Sequence, residues 1–376
     1  MSDPVKPRYR IDSYLDWVKA EGVPVAEDYG LDLFTVETAP WARFGMKGAA
    51  CHLKGRGDFS SIVLFEMAPG GSSAPQHHLY EEIIYILEGN GSTQIEFQDG
   101  AKRSFEWGPR SMFAIPLNAK YRHFNGSGQK RALMSCTTNM PMVMNLFHNE
   151  NFIFNSTAVF ADRMGKDEYY AGQGDLMMIR PDNHMWETNF VPDLEQIELH
   201  AWEDRGAGSS NIMFVLADSS MHAHISEIAP GTYKKAHRHG AGPHVMCVTG
   251  TGFSLLWFDG QKDYLRIDWK HGVVFPPDDK QLHQHFNSSN YPARYLATGV
   301  GGIRYPMLAV NKRAGGGEGG KKQAVSLSIK EGGDQVEYAD QDPRIHALWL
   351  DEMKKNGGIP KMQKYFPNDG TQAAAE

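Results

Sequence analysis

The fold is decided by residues 231–252, GTYKKAHRHGAGPHVMCVTGTG, which contain the triplet His237-Arg238-His239. Side chains alternate between the two faces of a strand, so His237 and His239 are expected on one face. A second triplet of this kind, His283-Gln284-His285, follows after two further strand-like runs. Imidazoles from separate strands can converge on one ion, and imidazole is a good ligand for iron, zinc, copper or nickel. The spacing therefore predicts a metal site inside a β-structure.

The chain contains a degenerate internal repeat with an offset of 161 to 162 positions. The matching segments are Trp41 with Trp202, Pro69-Gly70 with Pro230-Gly231, Gln76-His77-His78 with His237-Arg238-His239, Gly89-Asn90-Gly91 with Gly250-Thr251-Gly252, Trp107 with Trp269, and His123-Phe124-Asn125 with His285-Phe286-Asn287. A repeat of this length indicates two whole domains rather than a solenoid. Each copy alternates short apolar runs with glycine-containing turns, a pattern typical of a β-sandwich, jelly roll or barrel.

Composition places the chain among ordinary globular proteins. It has 376 residues, 41% hydrophobic and 22% charged, with a net charge of −7. The acidic balance argues against a general nucleic-acid binder, and no apolar run is long enough for a transmembrane helix. The N-terminus has no apolar signal-peptide core, and the three cysteines, Cys51, Cys136 and Cys247, suggest reduced thiols rather than disulfides. We therefore expect a cytoplasmic protein without a membrane or nucleic-acid partner.

Both copies resemble the cupin family, a small double-stranded β-helix or jelly roll. Copy one carries Gly70, Gln76 to Glu82, Gly89, Pro116 and Asn125; copy two carries Gly231, His237-Arg238-His239, Gly250, Pro277, Asp279, His283 and Asn287. The resemblance implies an all-β bicupin. Outside the repeat, the local sequence pattern predicts a short N-terminal helix at 11–20, a strand at 324–329 and a terminal helix at 342–356. The expected divisions are an arm at 1–40, the N-terminal cupin at 41–160, a connection at 161–201, the C-terminal cupin at 202–312, and a Gly-rich linker with a tail at 313–376.

The resemblance also implies which residues bind the metal. In copy two the ligand positions hold His237, His239 and His283, while gapless alignment puts Pro243 at the position of the acidic ligand. His244 satisfies a looser spacing of the motif and is an alternative fourth ligand. Gapless alignment instead places it on the opposite face of its strand, and a one-residue slip decides between the two.

Copy one has lost two of the three histidines that the family uses. Its ligand positions hold Gln76, His78, Glu82 and Tyr121. We expect this site to be degenerate and to serve structure, dimerisation or a secondary pocket.

The three-histidine set resembles that of the gentisate 1,2-dioxygenase group of ring-cleaving bicupins, although that group usually carries iron in its N-terminal cupin. The resemblance implies an Fe(II)-dependent dioxygenase that cleaves a small hydroxylated, anionic aromatic or cyclic substrate with O2. Zn, Mn or Ni as the native metal would favour a non-redox isomerase, decarboxylase, lyase or amidohydrolase. A non-enzymatic, ligand-binding bicupin is the third hypothesis.

Further candidates follow from their place on the same predicted barrel. His285 shares a face with His283 and is a candidate general acid or base, or a partner that holds a ligand by a hydrogen bond. The other candidate catalytic residues are Gln281 and Arg294, and the candidate substrate contacts are Tyr233, Lys235, Met246 and Trp257. By analogy with soluble enzymes in general, we expect a homodimer or a higher homo-oligomer.

Overall fold

The computed structural model describes residues 11–97, 99–180, 183–240, 243–302, 304–305 and 324–369. The first ten residues of the predicted arm, the predicted Gly-rich linker at 315–320 and the last residues of the tail lie outside this described part.

In the described ranges, four α-helices flank the β-structure. They are α1 (Ser13–Ala20), α2 (Met140–Phe147), α3 (Glu150–Phe154) and α4 (Pro343–Lys355). The predicted first and last helices are present. Asp12 caps α1, with its side chain accepting a hydrogen bond from Leu15 N, and Asp342 caps α4 in the same way. Pro343 fits the first turn of α4, where no backbone N–H donor is needed.

Short strands are the main regular structure of the described chain. The first eleven are β1 (Val25–Ala26), β2 (Leu31–Asp32), β3 (Ala39–Trp41), β4 (Met46–Cys51), β5 (Ser61–Met67), β6 (Glu82–Glu88), β7 (Gly91–Glu96), β8 (Lys102–Trp107), β9 (Met112–Ala114), β10 (Lys120–Asn125) and β11 (Ala132–Thr138). The others are β12 (Asp175–Arg180), β13 (Asn183–Thr188), β14 (Phe190–Val191), β15 (His200–Ala201), β16 (Ser210–Leu216), β17 (Met221–Ile228), β18 (Ala236–His237), β19 (His244–Thr249), β20 (Gly252–Trp257), β21 (Leu265–Asp268), β22 (Val273–Phe275), β23 (Leu282–Asn287), β24 (Ala293–Val300) and β25 (Gln335–Val336).

Each copy of the repeat builds two sheets with the same strand pairing. In the N-terminal copy the larger sheet has the order β1-β4-β5-β11-β6-β9-β14, with β3 beside β4, and the smaller has the order β10-β7-β8. In the C-terminal copy the larger sheet has the order β12-β13-β16-β17-β24-β19-β22-β2, with β15 beside β16. The smaller has the order β21-β20-β23-β18-β25. The structure therefore confirms the all-β prediction of two tandem jelly-roll barrels.

Two strands cross between the halves. The arm strand β2 pairs with β22 of the C-terminal barrel, and β14 of the connection pairs with β9 of the N-terminal barrel. The hairpin β12–β13 extends the C-terminal barrel through parallel pairing of β13 with β16. Arm and connection are thus parts of the sheets rather than separate linkers.

The barrels pack against each other through their larger sheets. The shared apolar core contains Leu64 and Tyr85 from one barrel with Phe214 and Leu296 from the other. Within it the hydroxyls of Thr137 and Thr298, equivalent positions of the repeat, hydrogen-bond at 2.7 Å. The smaller sheets therefore lie away from the contact between the barrels, and each barrel keeps its own interior.

The C-terminal segment covers the smaller sheet of the second barrel. β25 pairs with β18, at Ala236↔Val336 and His237↔Gln335. Trp349 of α4 is fully buried and donates its indole N–H to Asn287 O at 2.8 Å. The predicted strand at 324–329 is wrong, because short 3-10 turns at Ala324–Ser326 and Ile329–Glu331 occupy this stretch.

None of the helices in the described ranges combines the length and the apolar character that crossing a bilayer requires.

One hydrogen-bonded chain recurs in both barrels. In the first, the indole N–H of Trp107 donates to Thr93 Oγ1 at 3.0 Å, and Thr93 Oγ1 lies 2.7 Å from Nδ1 of His123. In the second, Trp269 donates to Ser254 Oγ, which lies 2.8 Å from Nδ1 of His285. The repeat has therefore preserved a histidine–hydroxyl–tryptophan contact beneath the smaller sheet of each barrel.

Burial of His123 gives a testable pH dependence. Burial lowers the pKa of His123 from 6.5 to about 4. Between these values the unfolded chain binds a proton here and the folded chain does not, so the free energy of unfolding should fall as pH falls from about 6.5 to 4. The slope for one such group is about 1.4 kcal/mol per pH unit. Urea unfolding of wild type and His123→Gln at pH 7 and 5 measures this contribution, because the variant should show the shallower pH dependence.

The exposed His148 provides the matched control. His148→Gln should retain the pH slope of the wild type. Equal slopes for wild type and His123→Gln would contradict the prediction.

Candidate metal centre

The C-terminal barrel encloses a cavity of about 130 Å³. Its lining combines six histidines with two cations, a tyrosine and an apolar wall: His222, His224, His237, His239, His283, His285, Arg205, Lys234, Tyr295, Trp202, Pro243, Val245, Ala297 and Val300 are among the residues. No carboxylate of the described residues lines it. The cavity is therefore cationic or neutral at every polar position.

Three of the predicted ligands converge there. One nitrogen from each of His237, His239 and His283 lies within 4.8 Å of the other two. The cause is the register of the smaller sheet, in which His237 of β18 is directly opposite His283 of β23. His239 follows two residues later on the same side, as the alternation requires.

The other ring nitrogens orient these imidazoles. Nδ1 of His239 lies 2.8 Å from Gly240 O, and Nδ1 of His283 lies 3.1 Å from Gln281 O. Backbone carbonyls in this position fix the ring and the tautomer, and they leave the Nε2 atoms available as ligands. His237 Nδ1 is buried and has no hydrogen-bond partner within the described part of the chain.

Burial keeps the three rings in the neutral state that a metal ligand needs. Burial and the nearby Arg205 charge hold the pKa of His237 well below its usual range. Burial and the neighbouring imidazoles do the same for the pKa of His283, and burial also lowers the pKa of His239. Three neutral imidazoles, of which two are oriented by backbone carbonyls and the third has an orphaned buried nitrogen, fit a divalent transition-metal ion.

The structure decides the alternative at His244. Pro243 and Val245 line the cavity, whereas His244 does not, and it lies outside the cluster of ligand nitrogens. Alternation along β19 therefore directs His244 to the opposite face, where it is fully buried. This placement matches the gapless alignment of the two copies, and we therefore treat His244 as lying outside the predicted ligand set.

His285 lines the cavity as predicted. Its Nδ1, however, takes part in the hydrogen-bond series formed with Ser254 and Trp269. An indole N–H can only donate, so Ser254 Oγ accepts from Trp269 and its own hydrogen is available to His285 Nδ1. This arrangement favours the tautomer with the proton on Nε2. Because His123 has the same contact in the other barrel, the Nδ1 bond is structural, and only the Nε2 side of His285 remains for a ligand.

The other two candidate catalytic residues do not line the cavity. Arg294 forms an ion pair with Glu227 at 2.7 Å and donates to backbone carbonyls of the connection. Its neighbour Tyr295 faces the cavity, so alternation along β24 turns Arg294 outward and the prediction was wrong. Gln281 acts only through its backbone, which accepts from His283, while its side chain accepts from Asp278 N. It is a positioning residue.

The four predicted substrate contacts also lie elsewhere. Tyr233 packs beneath the C-terminal segment, with its hydroxyl 3.0 Å from Nδ1 of His346. Lys235 forms an ion pair with Glu337 at 2.7 Å. Met246 belongs to the core between the barrels, and Trp257 packs against Tyr264. These predictions were wrong because each residue faces away from the barrel interior.

Several residues of the cavity lining are not among the predicted site residues. Lys234, a charged residue outside both histidine triplets, is 2% exposed and lines the cavity. Lys235 belongs to no strand, because it lies between the isolated bridge at Lys234 and the start of β18. It therefore shifts the inward and outward alternation of side chains by one position. His222 and His224, with Nε2 and Nδ1 2.7 Å apart, form another His-x-His pair on β17. That spacing was visible in the sequence.

The pair Lys234 and Tyr295 is electrostatically coupled. The Lys234 ammonium lies 5.0 Å from the centre of the Tyr295 ring. Burial raises the pKa of Tyr295, but the Lys234 charge and a hydrogen bond with Ser226 oppose it, and the pKa is lowered overall. Burial lowers the pKa of Lys234. Burial also lowers the pKa of Arg205, to about 10.

The equivalent site of the N-terminal barrel is filled by its own side chains. Tyr121 OH donates to Glu82 Oε1 at 3.0 Å and lies 3.0 Å from His78 Nε2. Gln76 is not part of this network, since its amide donates to Arg43 O. In the ranges that the structure describes, the C-terminal cluster alone has the spacing of a metal site. That the N-terminal site binds no metal stays a prediction, which the metal content of the protein tests.

No protein-family model and no curated protein sequence matches the chain. Among solved structures, the chain is similar to the oxalate decarboxylase of Lactobacillus farciminis in its formate complex. The identity is 11%, the TM-score is 0.46, and the match covers 72% of this chain and 86% of that one. A deletion mutant of Bacillus subtilis oxalate decarboxylase gives 11% identity, a TM-score of 0.45, and coverage of 73% and 77%. A likeness this distant does not transfer a metal or a substrate to this chain.

The cluster predicts the metal content of single variants. Wild-type protein should carry about one divalent ion per chain, and His283→Ala should lose it, because two imidazoles leave the site incomplete. His244→Asn is the matched control and should retain the ion, since His244 faces away from the cluster. Elemental analysis of anaerobically purified protein measures both.

About two ions per chain in wild type would show that the N-terminal barrel also binds metal. Loss of the ion in His244→Asn would contradict the parity of β19.

Proposed function

We propose that this protein is a metal-dependent enzyme. Its substrate is a small anion that binds the metal in the C-terminal barrel through an oxygen atom. The observation that carries the proposal is the convergence of His237, His239 and His283 in a buried cavity without a carboxylate among its described lining. Three neutral ligands leave the charge of a divalent ion uncompensated, so an anionic substrate completes the site. The N-terminal barrel has a structural role in this proposal.

The ion would be bound by the three histidines and would supply a Lewis acid that polarises a substrate oxygen. The chain supplies the surroundings. Pro243 and Val245 on one side, with Ala297 and Val300, form an apolar wall that limits water around the substrate. Low local polarity strengthens the interactions between the charged groups and the substrate.

Non-redox acid–base chemistry is the reaction class that the cavity supports best. Tyr295 and Lys234 are adjacent, line the cavity and have pKa values that move toward the neutral range. Groups of this kind transfer protons efficiently near neutral pH. In this proposal the Tyr295 hydroxyl moves a proton to or from the substrate, and Lys234 holds the phenolate charge. Isomerisation, decarboxylation, lyase and amide-hydrolysis reactions all use such a step.

An Fe(II) dioxygenase is the second candidate. The absence of a carboxylate from the described cavity lining favours it, because three neutral imidazoles leave several positions for a chelating substrate and O2 together. Nε2 of His285 would then face the substrate oxygens and donate to them.

Conversion under nitrogen and under air separates the two candidates. Metal-loaded protein would be incubated with hydroxybenzoates, catechols, dihydroxyacetophenones and small hydroxy and keto acids, and followed by NMR and an oxygen electrode. For a converted substrate we expect equal rates with and without air and loss of turnover in His283→Ala. Tyr295→Phe should keep the metal and lower kcat roughly a hundredfold or more.

Conversion only in air, with matching oxygen uptake, would establish the dioxygenase instead. Metal-free wild-type protein would overturn the enzyme proposal and favour the non-enzymatic, ligand-binding bicupin.

A further inference from the structure

Two buried cations of the cavity form no ion pair within the part of the chain that the structure describes. Arg205 is 4% exposed and Lys234 is 2% exposed. Neither forms an ion pair with a carboxylate of the described residues, whereas the neighbouring Lys235 pairs with Glu337 at 2.7 Å. Other poorly exposed cations of the chain are paired in the same way, such as Arg163 with Glu81 at 2.8 Å. The cavity is therefore an exception to the charge pairing of this protein.

The contacts that Arg205 does make are neutral. Its Nη1 donates to Gln335 Oε1 at 2.7 Å and to the backbone oxygen of Val325. The guanidinium carbon lies 5.7 Å from the ring centre of Trp202. These contacts fix the position of the guanidinium. The carboxylates of Asp204 and Glu337 act on its charge without forming an ion pair with it, so the charge is only partly compensated.

Lys234 is fixed equally well. Its backbone N–H donates to His285 O at 3.0 Å, which ties it to β23, and its ammonium lies over the ring of Tyr295. A Tyr295 phenolate would balance one of the two cations at most. With a divalent ion at the three histidines, the cavity still holds more positive than negative charge.

An uncompensated buried charge destabilises a fold, so such groups are usually paired or bind a ligand. Arg205 and Lys234 line the same cavity as the three histidines, which places a ligand within reach of both. A guanidinium and an ammonium together bind carboxylates and similar acidic groups through charge-assisted hydrogen bonds.

We infer that the substrate is a small dianion, with one acidic group at the three-histidine site and a second acidic group bound by Arg205 and Lys234. This inference rests on the proposed function and specifies its substrate class. The second group is a carboxylate or another ionised oxygen group, and the cavity volume of about 130 Å³ limits the molecule that joins the two. Lys234 thereby has a binding role that the acid–base proposal does not require.

Succinate and butyrate test the inference, because they have the same carbon chain and differ by one carboxylate. Isothermal titration of the Mn²⁺-loaded wild type should show succinate binding about tenfold or more tightly than butyrate, as one charge-assisted contact predicts. Lys234→Gln should remove most of this preference. Lys235→Gln, the matched control beside it, should retain the preference, because Lys235 pairs with Glu337 outside the cavity.

The same titrations on His283→Ala separate this inference from the proposed function. Succinate binding that depends on Lys234 in the metal-depleted variant supports the second-group site even if the metal proposal fails. Normal metal binding with equal affinities for succinate and butyrate overturns the dianion inference and leaves the proposed function intact. Persistence of the preference in folded Lys234→Gln overturns it as well. If Lys234→Gln fails to fold, the wild-type ratio of the two affinities decides.

Discussion

The site depends on the antiparallel pairing of β18 with β23. β18 is two residues long, and one register contact, His237 opposite His283, brings the two histidine pairs together. So short a strand is weak by itself, and β25 of the C-terminal segment pairs with its other edge. The ion pair between Arg238 and Asp334, at 3.2 Å, further links β18 to the segment that contains β25. The tail after the second barrel is thus part of the support of the candidate metal centre, although it lies outside the repeat.

The two barrels share one scaffold, but their interiors differ. The chain of histidine, hydroxyl and tryptophan survives in each, at His123 and at His285, because it holds the smaller sheet together. The ligand positions did not survive equally. In the first barrel, Tyr121 reaches Glu82 and closes the space that an ion would need, so the polar groups satisfy each other. In the second, the equivalent space stays open, and its histidines face a cavity.

The sequence was sufficient for the fold and for the three converging histidines, since both follow from spacing and from the two-residue period of strands. It failed where that period is interrupted. Strict alternation counted back from His237 would place the Lys234 side chain on the face opposite the cavity. Lys235 belongs to no strand and interrupts the alternation, so Lys234 faces the cavity. Arg294 was predicted to face the cavity, but its neighbour Tyr295 does so instead. Only the pairing of β24 shows which face of this strand lies inside the barrel. Arg205 could not be found by any motif, because a 3-10 turn and the distant residues Val325 and Gln335 position it.

The cavity contains two groups whose positive charge is not balanced by its described lining: a metal ion, when one is bound by the three histidines, and the pair Arg205 and Lys234. Neutral imidazoles without a carboxylate need an anion to balance a bound ion, and buried cations without partners need an anion to balance themselves. One dianionic molecule meets both needs, so the ion and the distal cations would each favour the same ligand. Thermodynamic linkage then requires that the ligand also strengthen binding of the ion. A cavity organised in this way would bind neutral molecules weakly, because they leave both sets of charges unpaired, and no steric filter would be needed. Under the dianion proposal, selectivity would come from the charges of the barrel, and the apolar wall of Pro243, Val245, Ala297 and Val300 would make those charges effective by limiting water.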